Sequence, residues 1–90
     1  MITLRLPPVL RAQAGGARTV DVDGATLREA LDDLFAKHPA LREPLLDSDG
    51  DLARFVNVYV DNEDVRLRDG LDTTLRDGAT VIVLPAMAGG

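Results

Sequence analysis

The sequence predicts an α+β domain in which a mixed sheet of four to five strands packs on one main helix. Three observations carry this. One amphipathic helix starts near residue 26, short segments of strand periodicity lie on both sides of it, and there are too few helices to cover both faces of a doubly wound sheet. Ninety residues make a single small domain, which buries about 60–65% of its unfolded surface. The core is aliphatic, because Phe35, Phe55 and Tyr59 are the only aromatic residues.

The first strand is read from Ile2, Leu4 and Leu6, which alternate with Thr3 and Arg5 and stop at Pro7-Pro8, where neither proline can donate to a ladder. Val9-Leu10-Arg11 form a short turn, Ala14-Gly15-Gly16 reverse the chain, and Thr19-Val20-Asp21-Val22 pair back on the first strand. Thr26-Leu27-Arg28-Glu29 is a capping box, with the Thr26 hydroxyl placed for the Glu29 amide and the Glu29 carboxylate reaching back. Leu27, Ala30, Leu31, Leu34 and Phe35 follow at helical spacing, and Pro39 bounds the helix near Lys37. A further turn of helix over 40–46 is expected to be interrupted at Pro44, before the polar loop Asp47-Ser48-Asp49-Gly50-Asp51. Phe55 to Val60 form a strand with Val56, Val58 and Val60 on one face. Asp61 to Asp64 are expected to be a turn and Val65-Arg66-Leu67 a short strand. Thr80 to Leu84 read as a central strand, apolar on both faces.

Net charge is −5, and the basic residues look scattered along the chain, so no electrostatic footprint for nucleic acid or an anionic membrane is expected. On charge alone, an enzyme with a basic docking face is the better partner. With no cysteine there is no disulfide, thiolate nucleophile or persulfide site. The N-terminal segment shows no signal-peptide pattern, and no run approaches the roughly 18 apolar residues of a membrane span. The expected location is cytoplasmic.

Nothing internal reads as catalytic. Asp47, Asp49 and Asp51 alternate as calcium ligands do, but Leu52 and Val58 stand where an EF-hand loop needs glycine and glutamate. His38 lacks a cysteine partner and sits at a helix end, so no metal site and no bound cofactor are expected. Asp32-Asp33 and the acidic cluster at 61–64 read as solvated surface.

Attention therefore falls on the tail. Residues 1–84 form the folded domain, and 85–90, Pro85-Ala86-Met87-Ala88-Gly89-Gly90, are expected to be a flexible extension without charged side chains. Six extended residues span roughly 20 Å. Gly89 and Gly90 carry no Cβ to obstruct a narrow channel or approach to the last carbonyl carbon. If Val81 and Val83 face the helix, Ile82 and Leu84 lie on the other sheet face beside Tyr59, an apolar patch that with Pro85 and Met87 would suit partner docking.

Ala88-Gly89-Gly90, the Asp77-Gly78 turn ahead of the last strand, and the stretch Phe55-Val56-Asn57-Val58-Tyr59-Val60-Asp61 together resemble the β-grasp, ubiquitin-like sulfur carriers of prokaryotes. Within that group, Phe55 through Asp64-Val65-Arg66 and Leu84-Pro85-Ala86 are most similar to the carrier of bacterial cysteine biosynthesis. The small subunit of molybdopterin synthase and the thiamine sulfur carrier are similar too. The resemblance implies a protein co-substrate rather than an enzyme: an ATP-dependent, E1-like enzyme adenylates Gly90 and a sulfur donor converts it to a thiocarboxylate. It further implies a PLP-dependent cysteine synthase as sulfur acceptor, with a metalloprotease releasing the product. The alternatives are the molybdopterin synthase large subunit as acceptor, or use of the chain as a ubiquitin-like protein modifier.

Overall fold

The computed structural model describes residues 1–85. Five strands, β1 (Ile2–Arg5), β2 (Thr19–Val22), β3 (Val56–Val60), β4 (Glu63–Asp64) and β5 (Thr80–Pro85), form one sheet in the order β2-β1-β5-β3-β4. β1 and β5 are parallel and the other pairings antiparallel, so the sheet is mixed, as expected.

One face is closed by helix α1 (Leu27–Lys37), whose Leu27, Ala30, Leu31, Leu34 and Phe35 are all buried. They meet Ile2 and Leu4 of β1, Val20 and Val22 of β2, the three valines of β3, and Val81 and Val83 of β5, all buried. Register explains this single-sided core, because Leu4 stands opposite both Val20 and Val81, and Val58 opposite Val83, so the aliphatic sets share one face.

The helix starts as predicted. Thr26 Oγ1 accepts from the Glu29 amide at 3.3 Å, while the Glu29 carboxylate accepts from the amide of Ala25 at 2.9 Å, one residue earlier than the simplest capping box requires. His38 is the C-cap, its N–H donating to the Leu34 carbonyl.

Four local expectations are corrected. Pro44 does not interrupt the second helical segment: after a 3-10 turn at Pro39–Leu41, the short helix α2 (Arg42–Leu45) runs through it. In the first turn of a helix no intrahelical acceptor waits for a proline's missing N–H. The turn after β3 is confined to Asp61 and Asn62, at φ 48° and 73°, a left-handed pair whose twist suits a two-residue hairpin. Glu63 and Asp64 therefore pair back as β4, and Val65–Leu67 is a 3-10 turn rather than a strand, because the Asp64 carboxylate accepts from the Arg66 amide at 2.9 Å and curls the chain. Finally, β5 is central but not buried on both faces. Ile82 is half-buried and Leu84 is 43% exposed, because among the described residues no element covers the sheet opposite α1.

Candidate functional site

β5 leads to the tail and is held on both sides through Ile82 and on one side through Pro85. Thr80, Val81 and Ile82 pair with Thr3, Leu4 and Arg5 of β1. On its other side β5 pairs with β3 from Val81 to Pro85, with Leu84 opposite Asn57 and Pro85 opposite Val56. Pro85, which the sequence assigns to the tail, is thus the last residue of the strand, where a proline's lack of a donor is tolerated.

The open sheet face beside that exit is apolar at its centre. Ile82 pairs with Tyr59, both half-buried, and Leu84 and Pro85 are exposed next to them. The four candidate docking residues Tyr59, Ile82, Leu84 and Pro85 are therefore brought together. Met87, Gly89 and Gly90 lie outside the described residues. Phe55, 66% exposed, precedes β3 at the same end of the sheet. Arg66 fixes the flank, its guanidinium donating to Asn57 Oδ1 and to the Ala53 carbonyl, both at 2.9 Å.

A groove of about 650 Å³ opens alongside, floored by Leu6, Ile82, Val83 and Leu84 and walled by Pro7, Pro8, Val9 and Pro85. Arg5, Arg11 and Arg18 line it as well. The reading of the basic residues as scattered is corrected here. Folding β1, the following 3-10 turn (Pro8–Ala14) and β2 together collects three arginines beside the end of β5. The sequence carries a signal that composition averages hide, since residues 1–20 contain these three arginines and no acidic residue.

The opposite end of the sheet mixes charges, with Asp23, Asp61 and Asp77 near the Met1 amino group, Arg68 and Arg76. Asp61 Oδ1 accepts from the Thr80 amide at 3.0 Å, and Asp77 accepts from the Met1 amino group, which lies 3.7 Å from Asp23. The hydrogen bond from that amino group holds the Asp77 carboxyl below the usual carboxylate range.

The remaining carboxylates serve local structure. Asp47 Oδ1 accepts from the amides of Asp49 and Asp51 at 2.9 and 3.0 Å, so the alternating aspartates close a turn on themselves. Among the described residues, no group of three or more His, Cys, Asp or Glu is placed to hold a metal ion. Asp33 accepts from the Asp23 amide at 2.9 Å and lies 3.2 Å from Lys37 Nζ, and these contacts, the amide first, hold its carboxyl below the usual range. Lys37 also donates to the Asp21 carbonyl at 2.6 Å. Among the described residues, no helix is long and apolar enough to cross a membrane.

The fold has close counterparts in known proteins. The chain is 45% identical over 91 residues to the sulfur carrier protein CysO of Mycobacterium tuberculosis, covering 99% of this chain and 98% of that protein. The crystal structure of M. tuberculosis CysO superposes with a TM-score of 0.92 at 43% identity, covering 97% of this chain and all of that one. A chain of the Amycolatopsis orientalis BexX/CysO complex also gives 0.92, at 41% identity and with both chains covered completely. These structures share the ubiquitin-like β-grasp architecture found here. The ThiS family profile matches residues 4–90. The chain therefore belongs to the ThiS family.

Proposed function

We propose that this chain is a sulfur carrier protein that serves cysteine biosynthesis by carrying sulfur as a thiocarboxylate on Gly90. The observation that carries the reading is the similarity to CysO along essentially the whole chain, joined to a family match that extends through Gly90. The geometry supports it, because β5 pairs with β1 through Ile82 and with β3 through Pro85, and the five residues beyond bear no charged side chain.

The chemistry follows from the carboxylate. An ionised carboxylate, with a reference pKa of about 3.3–3.7, is a poor electrophile at neutral pH. An ATP-dependent activating enzyme of the E1 type overcomes this: a Gly90 carboxylate oxygen attacks the α-phosphorus of ATP, pyrophosphate leaves, and an acyl adenylate forms. A hydrosulfide-equivalent donor then attacks the acyl carbon and AMP departs, leaving C(=O)–S⁻. The chain supplies the acyl group and a docking frame, and its partners supply the catalysis. A PLP-dependent synthase holding an activated serine accepts the sulfur, and a metalloprotease then frees the new cysteine from Gly90.

Co-expression with the activating enzyme, followed by intact-mass spectrometry, tests this reading. One oxygen of Gly90 should be replaced by sulfur, and an unmodified mass with an enzyme shown to be active would overturn it. Neighbouring genes discriminate the acceptor, a PLP-dependent synthase marking the cysteine route and a molybdopterin synthase large subunit the cofactor route. Gly90-dependent conjugates on lysines in lysate would instead mark a protein modifier.

A further inference from the structure

The two edges of the sheet differ. On one side β4 is only two residues long, which blunts that edge, and past its end the Arg66 guanidinium bonds to Asn57 and to the Ala53 carbonyl. On the other, β2 runs for four residues, and among the described residues β1 is its only sheet neighbour. The Leu6 amide donates to the Arg18 carbonyl at 2.9 Å. Because backbone groups alternate in direction along a strand, Arg18, Val20 and Val22 turn theirs toward β1, whereas Thr19, Asp21 and Asp23 turn theirs outward. Two of these outward groups are taken by α1. The Asp23 amide donates to Asp33 Oδ2 at 2.9 Å, and Lys37 Nζ donates to the Asp21 carbonyl at 2.6 Å. Asp33 and Lys37 stand one helical turn apart with 3.2 Å between their charged atoms, so each steadies the other over the strand.

We infer that Asp33 and Lys37 are a latch that closes the outer edge of β2 to strand addition, and that the strand it keeps out is β2 of a second copy of this chain. The edge itself selects that occupant. Two copies related by a two-fold axis at Asp21 would set Thr19 of each opposite Asp23 of the other and exchange backbone hydrogen bonds reciprocally, the self-complementary contact of a closed dimer. The same pairing would set the two Asp21 side chains opposite each other, and like charges so placed are destabilising. The strand's own aspartate and the latch from α1 thus guard the edge against the same intruder, as edge strands require. The latch belongs to the domain alone and is independent of what Gly90 carries. It bears on the tail through Thr19, which begins β2 and lines the groove beside β5, so that a second copy seated on this edge would stand next to the exit.

Amide hydrogen exchange and sedimentation of the full chain test this. The variants are Asp33→Ala, which frees the Asp23 amide, and Asp21→Thr/Asp33→Ala/Lys37→Met, which removes the latch and the like charges together. Thermal melts and amide spectra verify that each is folded. In Asp33→Ala the Asp23 amide should exchange at least about tenfold faster, while the Val20 amide, which points toward β1, changes less than about twofold. Between about 10 and about 500 μM, exchange at Thr19 and Asp21 should be independent of concentration in wild type, whereas the triple variant should form a dimer and gain protection at both amides. Unchanged exchange at Asp23 in folded Asp33→Ala overturns the latch, whether or not the triple variant folds. So does wild-type protection at Thr19 and Asp21 that grows with concentration, a folded triple variant that stays monomeric, or one whose dimer leaves those amides unprotected. All of these outcomes leave the carrier reading intact, since that is decided by the mass at Gly90.

Discussion

Tyr59 stands directly across from Ile82 on the antiparallel ladder between β3 and β5, both on the sheet face that α1 does not cover. Ile82 also pairs with Arg5 on β1, so one transverse row carries Arg5, Ile82 and Tyr59. An apolar centre with a cation at its edge follows from register alone.

Leu84→Asp places a carboxylate at the centre of that patch while disturbing little of the core, since Leu84 is 43% exposed. Its melting temperature should stay near that of wild type. Thiocarboxylate formation by the activating enzyme should lose at least about tenfold in kcat/KM, the scale of a central contact residue.

Deleting Gly89 and Gly90 should abolish sulfur acceptance with no change in thermal unfolding, because every buried core residue lies between Ile2 and Val83 among the described residues. Intact mass and calorimetry on the same sample check both halves.

Thr26→Ala removes the acceptor for the Glu29 amide at the start of α1. A loss of about 1 kcal/mol is expected from urea unfolding, with the denaturant slope unchanged.

Gly24 lies hard against the first turn of α1, where an added Cβ would come within 2.5 Å of the Ala30 nitrogen and 2.8 Å of the Glu29 carbonyl carbon. Backbone cannot yield as a side-chain tip can. Gly24→Ala should therefore cost about 1–3 kcal/mol, as overpacking does.

Asp33 ties the end of β2 to α1 through the Asp23 amide and Lys37, contacts that favour its charged form. With its folded pKa depressed, its contribution is complete above the unfolded value of about 3.9 and is lost as pH falls through the lower folded value. The melting-temperature gap between wild type and Asp33→Asn should thus be widest at neutral pH and close below about pH 4. A gap that stays constant across that range would contradict the assignment.

Local chemistry is legible in one dimension. The Thr26 cap, the stripe from Leu27 to Phe35, and the alternation in β1, β2 and β3 depend on neighbours within a few residues, and these elements form where their patterns place them. The pairing of Gly89 with Gly90, and the residues that resemble sulfur carriers, were equally visible. Local pattern is a poorer guide where short-range competition is close: Asp61 and Asn62 take left-handed angles that shorten the turn, and Asp64 then caps the segment that reads as a strand.

The arginine cluster at the tail exit is different in kind. Arg5, Arg18 and Leu84 come together only because β1 pairs parallel with β5 and antiparallel with β2, joining the two ends of the chain across the middle of the sheet. A linear pattern reports which face of a strand is apolar. It does not report which strand lies beside it, because pairing is set by the collective burial of Leu4, Val20, Val58, Val81 and Val83 against α1, a contest among long-range contacts that no local window contains.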